Sequence, residues 1–144
     1  MDHSLKSERI LTLRIDAKDL WKVLTESTYT KQYMFNCAVT SNWEAGDTIV
    51  WEGTYEGYEA FQKGKVIEII PYEKIKYSTF DPNFGLEDIP KNYIHVSYLI
   101  SSENDKTILK IINETFDGNY DRLHHINQGW EMVSDKIKKV VETL

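Results

Sequence analysis

Cysteine is nearly absent from this chain of 144 residues, which carries Cys37 alone. A single thiol excludes an intramolecular disulfide and every zinc site built from several cysteines. It also favours a reducing compartment, so we expect a cytoplasmic protein. Only three prolines and seven glycines are present, which suits one compact domain at about 100–200 residues per domain.

Long apolar runs and an excess of cations are missing as well. No run approaches the ~18 residues of a membrane span, and residues 1–9 are too polar for a signal peptide, so we expect no membrane association. The net charge is −6, whereas binding to phosphate backbones needs clustered Lys and Arg, so nucleic acid is not expected as a partner. Phosphate loops, dinucleotide fingerprints and serine nucleophile elbows do not occur, and we assign no cofactor.

Alternation of polar and apolar residues predicts a sheet. The first strand is expected over residues 9–15. Asp16 is then placed to cap a short helix over residues 17–24, and a second short helix is expected over residues 28–34. Further strands are expected over residues 37–43, 48–55, 61–70, 74–80, 92–101 and 107–115. Most links are short, which favours one antiparallel meander, because parallel neighbours need crossovers of about a dozen residues.

One longer loop, over residues 81–91, interrupts this pattern. It is bracketed by two prolines and carries Phe84, Leu86 and Ile89, whose apolar side chains need a place to pack. They either seal the edge of the sheet or form a flap over a pocket, since long loops are often lids.

The last segment predicts a long amphipathic helix. Apolar residues recur there at steps of three and four: Leu123, Ile126, Trp130, Val133, Ile137, Val140 and Leu144. The flanking positions lack the systematic charge pairing of a coiled coil, so we expect this face to pack on a curved sheet. Gly129 costs about 1 kcal/mol relative to Ala inside a helix. Either a bulky neighbour approaches closely at this point or space is left for a ligand beside Trp130.

The order of these elements is that of the helix-grip architecture, an α+β fold in which a curved antiparallel sheet wraps around a long C-terminal helix. Short motifs agree with it: Leu20-Trp21 with Leu24-Thr25, Trp43 with Gly46-Asp47 and Trp51, residues 64–71 leading into Ile75-Lys76-Tyr77, Thr107, and Gly129-Trp130. Together they resemble the START-like superfamily and, within it, the activator of heat-shock-protein-90 ATPase homologue family. The resemblance implies that residues 1–144 form a single START-like domain, with a cavity between sheet and helix that in related proteins often takes apolar or aromatic molecules.

Aromatic residues supply the candidate ligand site. The chain has four Trp, nine Tyr and five Phe. Trp51, Tyr77, Tyr98 and Trp130, together with Gly129, are the candidate ligand-binding residues, since a buried tyrosine hydroxyl can orient a ligand. The alternative is that these aromatics simply fill an ordinary core.

No residue stands out as catalytic or metal-binding. His3 lies in the terminal segment, and His124 and His125 are adjacent on a helix, so they point about 100° apart and cannot share a metal. His95 is expected to face outward from its strand, and Cys37 to be a small buried residue.

Several charged residues are expected at the surface. We expect Glu68 and Glu114 to point outward into solvent; the alternative is a carboxylate that points into the cavity and acts there as a general acid or base. Arg122 is expected on the surface of the last helix rather than as an anion clamp. The stretch between Lys31 and Lys63 has no cation but holds Glu44, Asp47, Glu52, Glu56 and Glu59. This acidic stretch is either a solvated strand face or a surface for a basic partner.

Three functions are compatible with these observations. We favour non-catalytic binding of an apolar or aromatic small molecule. The first alternative is a protein-interaction or chaperone-regulating stress module that acts through its surface, and the second is a cyclase- or hydrolase-type enzyme that uses a cavity carboxylate or tyrosine. A binder needs an enclosed cavity of ligand size, whereas an enzyme needs polar groups that converge inside it.

Overall fold

A computed structural model describes residues 3–144, in which seven antiparallel strands form one sheet in the order β1-β7-β6-β5-β4-β3-β2. Met1 and Asp2, which begin the polar segment where no signal peptide is expected, lie outside the described residues. The strands are β1 Leu5–Leu13, β2 Ala38–Thr40, β3 Thr48–Tyr55, β4 Tyr58–Ile70, β5 Lys74–Thr79, β6 Ile94–Glu103 and β7 Lys106–Thr115. The helices are α1 Ala17–Thr25, α2 Ser27–Tyr33 and α3 Tyr120–Glu142.

Strand β1 joins the sheet beside the last strand rather than beside its neighbour in sequence. Its register with β7 runs from Leu5 opposite Thr115 to Leu13 opposite Thr107. Strands β2 to β7 follow one another in sequence order across the sheet, and each pairs with the next through an antiparallel ladder, as the short links predict. The α+β order expected from the sequence is therefore confirmed.

The two short helices follow from local capping. The Asp16 carboxylate accepts a hydrogen bond from the Asp19 amide at 2.8 Å, which confirms it as the N-cap of α1. The Tyr33 hydroxyl of α2 then donates to the Val23 carbonyl at 2.8 Å, so that the two helices hold together. Both lie against α3.

Several boundaries differ from those expected, for identifiable reasons. Strand β1 starts at Leu5 rather than residue 9 because the pairing with β7 continues to Thr115. Strand β2 is only three residues long, since Phe35, Asn36 and Trp43 on either side of it have positive φ. Strand β4 begins at Tyr58 because Glu56 and Gly57, at φ 49° and 86°, form a tight hairpin turn.

The end of the last helix also differs. Helix α3 begins at Tyr120, with Asn119 accepting from the Arg122 amide at 3.0 Å, and it ends at Glu142. Leu144, which we expected at the end of the apolar stripe, lies beyond the helix and is 60% exposed. No helix in the described part of the chain is both long and apolar enough to cross a bilayer.

The main core lies between α3 and the inner face of the sheet. Alternate residues of the central strands are buried on that face, among them Ile75, Val96, Leu109 and Ile111. From α3 the buried set is Trp130, Val133, Ser134, Ile137, Val140 and Val141. The helix is therefore buried most completely along its C-terminal half, whereas Leu123 and Ile126 are only half-buried.

We expect Ile137→Ala to lower the free energy of unfolding by about 2–5 kcal/mol, because a fully buried aliphatic side chain is removed from the interface of α3 with the sheet. Urea denaturation followed by circular dichroism measures the change. The neighbouring Lys138→Ala, at an exposed position, is the control and is expected to alter stability by less than ~0.5 kcal/mol. A loss smaller than ~1 kcal/mol for Ile137→Ala would contradict the packing described here.

Candidate ligand-binding cavity

A cavity of about 890 Å³ opens where the N-terminal half of α3 faces strands β3 to β5. Its volume falls within the range of about 300–1,000 Å³ typical of small-molecule sites. Buried residues form its inner wall: Met34, Cys37, Trp51, Tyr77, Thr79, Phe80, Ile94, Trp130 and Val133. Exposed residues form its mouth: Tyr58, Glu59, Asn83, Phe84, Leu86, His125, Gln128 and Met132.

Aromatic rings dominate the inner wall. Trp51 of β3 and Tyr77 of β5 lie with ring centroids 5.8 Å apart, and Trp130 faces them from α3. Rings at this separation pack in tilted, offset contacts that are favourable beyond the burial of their surface. The inner wall is thus largely apolar and is built around these three rings.

Gly129 leaves open space at the cavity wall. A Cβ built at this position meets no atom within 4 Å outside its own helix, so no neighbouring residue requires a glycine there. Gly53 and Gly64 differ, because a Cβ would lie 2.2 Å from the Asn36 carbonyl oxygen and 1.8 Å from that of Ser78. The geometry at Gly129 therefore favours open space beside the helix over the close approach of a bulky neighbour.

Tyr98 does not reach the cavity. It is fully buried behind the inner wall, with its ring centroid 5.9 Å from that of Tyr77 and 6.2 Å from that of Trp130. Its hydroxyl oxygen lies 3.3 Å from that of Tyr77. Of the five candidate residues, Trp51, Tyr77, Gly129 and Trp130 line the cavity, and Tyr98 supports them from behind.

Arg122 is not the surface residue expected from the sequence. Its guanidinium is half-buried and donates to the Asp117 carboxylate and to the Asn92 carbonyl, each at 2.9 Å. This arrangement joins the start of α3 to the end of the loop before β6. Sequence reasoning missed it because the Asn92 carbonyl comes from a segment 30 residues away.

The loop over residues 81–92 lies along the mouth of the cavity. It contains two short 3₁₀ turns, Pro82–Phe84 and Pro90–Asn92. Phe84 is 57% exposed, lines the mouth and contacts the His125 ring edge-on with centroids 5.9 Å apart. Asp88 anchors the loop, since its carboxylate pairs with Lys63 and accepts from the Tyr93 hydroxyl at 2.6 Å. The loop is thus positioned to border the pocket rather than only the sheet edge.

The titratable groups of the inner wall keep their protons at neutral pH. Burial, followed by the Asp81 and Glu52 charges, raises the pKa of the Cys37 thiol to about 11. Burial, with the neighbouring Tyr98, likewise raises the pKa of Tyr77 well above its ordinary value. Both side chains are therefore protonated near neutral pH, and neither is a thiolate or a phenolate there.

Other charged candidates lie away from the cavity. His95 is on the outer face of β6, as its alternation predicts, and Phe116 packs against it with ring centroids 4.5 Å apart. Burial and the Lys76 charge lower the pKa of His95. Glu68 is paired with Lys74 at 3.0 Å on the outer face. Within residues 3–144, no group of three or more His, Cys, Asp or Glu side chains is placed to hold a metal ion.

Fold and site together define the class: a helix-grip domain of the START-like kind, with its cavity between the sheet and the C-terminal helix. Residues 14–142 match the family described as Activator of Hsp90 ATPase homolog 1-like protein, and this chain belongs to that family. Among curated proteins, none matches the sequence significantly. The family expected from the sequence motifs is confirmed.

Solved structures of low sequence identity share this fold. The protein ChR145 from Cytophaga hutchinsonii is 24% identical, with a TM-score of 0.80 over 96% of this chain and 94% of that one. The Aha1 dimer from Colwellia psychrerythraea is 15% identical, with a TM-score of 0.74 over 96% of each chain. Ara h 8.0201 is 13% identical, with a TM-score of 0.73 over 98% of this chain and 99% of that one.

We expect Gly129→Ala to raise the free energy of unfolding by up to ~1 kcal/mol, since the methyl group enters open space and alanine is the better helix former. Gly64→Ala is the matched comparison and is expected to be destabilising, because the added Cβ collides with the Ser78 carbonyl. Thermal or urea unfolding measures both. A destabilised Gly129→Ala variant would mean that the interior closes at that point.

Proposed function

We propose that the protein binds an apolar or aromatic small molecule, without transforming it covalently, in the cavity between α3 and the sheet. The observation that carries this proposal is an open volume of about 890 Å³ with an aromatic inner wall. A packed domain of this size ordinarily has few voids larger than a water molecule. An apolar molecule that enters a cavity of this size is stabilised there because its apolar surface, and that of the cavity wall, is removed from water.

The distribution of polarity supports binding in a defined orientation. Trp51, Tyr77 and Trp130 form the buried end, whereas Glu59 and Asn83 stand at the exposed mouth. A ligand would therefore place its apolar part inward and any charged or strongly polar group outward.

The protonation states of the wall support a binder over an enzyme. Catalysis by a cavity nucleophile or base needs a pKa moved toward neutrality, and burial moves the pKa values of Cys37 and Tyr77 away from it. We also propose a cytoplasmic location, in keeping with a free, buried Cys37.

We expect Gly129→Leu to remain folded and to weaken binding of the neutral apolar dye Nile red at least tenfold, because the new side chain occupies the cavity. Fluorescence titration of the dye measures the loss. Lys138→Leu adds the same side chain at an exposed helical position outside the cavity lining and is expected to leave the affinity unchanged. A parent protein that takes up no dye, or a Gly129→Leu variant that binds as the parent does, would contradict the proposal.

The acidic surface favours a second candidate, regulation of a chaperone through a protein contact. Glu52 and Glu56 of the β3–β4 hairpin are exposed, and neither forms an ion pair among residues 3–144. Unpaired charges of one sign steer a partner of opposite charge. The family description names an Hsp90 ATPase activator, so a basic face of that chaperone is the partner to test.

If the protein regulates this chaperone, adding it to Hsp90 purified from the same organism raises the ATPase rate of Hsp90. The double variant Glu52→Lys/Glu56→Lys is expected to reduce this stimulation. The reduction should be largest at low salt, where charges are least screened. The double variant Glu131→Lys/Glu142→Lys makes the same change of charge on α3 and is expected to have little effect. Both variants should melt near the parent temperature, because exposed charges contribute little to stability. An ATPase rate that does not respond to the parent protein would remove this candidate.

A further inference from the structure

A group of buried polar side chains lies where β1 pairs with β7, outside the lining of the cavity. Its members are Ser7 of β1 and Asn113 and Thr115 of β7, and we call them the polar cluster. Asn113 is 1% exposed and Thr115 is fully buried. The Ser7 Oγ, Asn113 Nδ2 and Thr115 Oγ1 atoms are all shielded from solvent, and none of them has a hydrogen-bond partner among residues 3–144.

The register of the sheet places the three side chains next to one another. Ser7 lies directly opposite Asn113, and Thr115 is two residues farther along β7, so all three belong to the inner face of the sheet. Their neighbours across the strands are apolar, with Leu5 opposite Thr115 and Val96 opposite Asn113. The unpaired atoms of the polar cluster are therefore close together and bordered by hydrocarbon.

Helix α3 lies against β1 beside the polar cluster. Arg9 shares the inner face of β1 with Ser7, two residues away, and its guanidinium donates to the Asn127 side chain of α3 at 3.0 Å. This bond fixes the helix next to the polar cluster and uses none of the three unpaired atoms. The chain itself therefore leaves their hydrogen-bonding capacity unmet.

Unpaired polar atoms in such a position would be strongly destabilising. A buried group that gives up its bonds to water and gains none in the fold loses free energy, and native domains keep very few of them. Valine in place of Thr115 and leucine in place of Asn113 would fill similar space without that loss. Three polar side chains at adjoining positions therefore indicate a hydrogen-bonding partner that the chain does not supply.

The hydrogen-bonding groups of the polar cluster fit water. The Asn113 amide nitrogen carries two hydrogens, and each hydroxyl can donate or accept. Opposite side chains on antiparallel strands have Cβ atoms about 4.5–5.5 Å apart, so groups that do not bond directly at this range suit a water bridge. None of the three side chains is charged, so an ion would find no opposite charge among them.

From these contacts we infer that ordered internal water occupies the polar cluster and bridges Ser7 of β1 to Asn113 and Thr115 of β7. Buried waters typically make about three hydrogen bonds each and occur on the order of once per ~27 residues, so a domain of this size accommodates several. The water joins the edge strand to the sheet through side chains, in addition to the backbone ladder. This site is separate from the proposed ligand site, because none of its three residues lines the cavity.

A pair of valine substitutions tests the inference by the sign of the change in Tm. Thr115→Val removes the hydroxyl and keeps the shape of the side chain. We expect it to lower Tm by about 2–5 °C if the hydroxyl bonds to water, whereas removal of an unbonded buried hydroxyl raises Tm. Thr107→Val is the matched control on the same strand and face. Its buried hydroxyl donates to the Ile15 carbonyl, so Tm should fall by a similar amount.

A crystal structure of the parent protein at about 1.5 Å resolution locates the water directly. We expect density for a water molecule within about 2.7–3.2 Å of the polar atoms of at least two of the three residues. Three results overturn the inference: a Thr115→Val variant that melts above the parent, parent density with no water in that position, or a direct hydrogen bond among the three side chains. Circular dichroism establishes that both variants are folded.

Discussion

The contact between α3 and the inner face of the sheet is the constraint on which the remaining structure depends. Along the C-terminal half of the helix, Val133, Ile137 and Val140 are buried against the core. Along the N-terminal half, Leu123 and Ile126 are only half-buried, and helix and strands leave an open volume between them. A rigid helix cannot follow a twisted sheet along its whole length, so close packing at one end opens space at the other. The core and the cavity are two consequences of one interface.

The residues at the open end are held by polar contacts instead of apolar burial. Arg122 connects the start of α3 with Asp117 and the Asn92 carbonyl, and the Arg9 guanidinium of β1 donates to Asn127 at 3.0 Å. Such bonds fix the position of the helix while leaving its inner face uncovered. They also explain how α3 can carry Gly129 at the cavity, where the helix loses both a side chain and some intrinsic stability.

Much of this fold could be predicted from the sequence because its signals are local. The steps of three and four along α3 and the cap at Asp16 each depend on residues close in the chain. What could not be predicted depends on contacts between distant segments. The early start of β1 comes from its pairing with β7, and the role of Arg122 comes from a carbonyl in another loop.

For the site, alternation identified aromatic residues on inner faces, but it cannot tell a residue at a cavity wall from one that lies behind that wall. Tyr77 and Tyr98 share a face and differ in depth.

Cys37 has a practical consequence because it is the single thiol in the chain and lies in the cavity wall. Burial raises the pKa of its thiol to about 11, so the thiol stays protonated at neutral pH and reacts slowly with thiol reagents. A second cysteine introduced at an exposed position would therefore be labelled selectively without first removing Cys37.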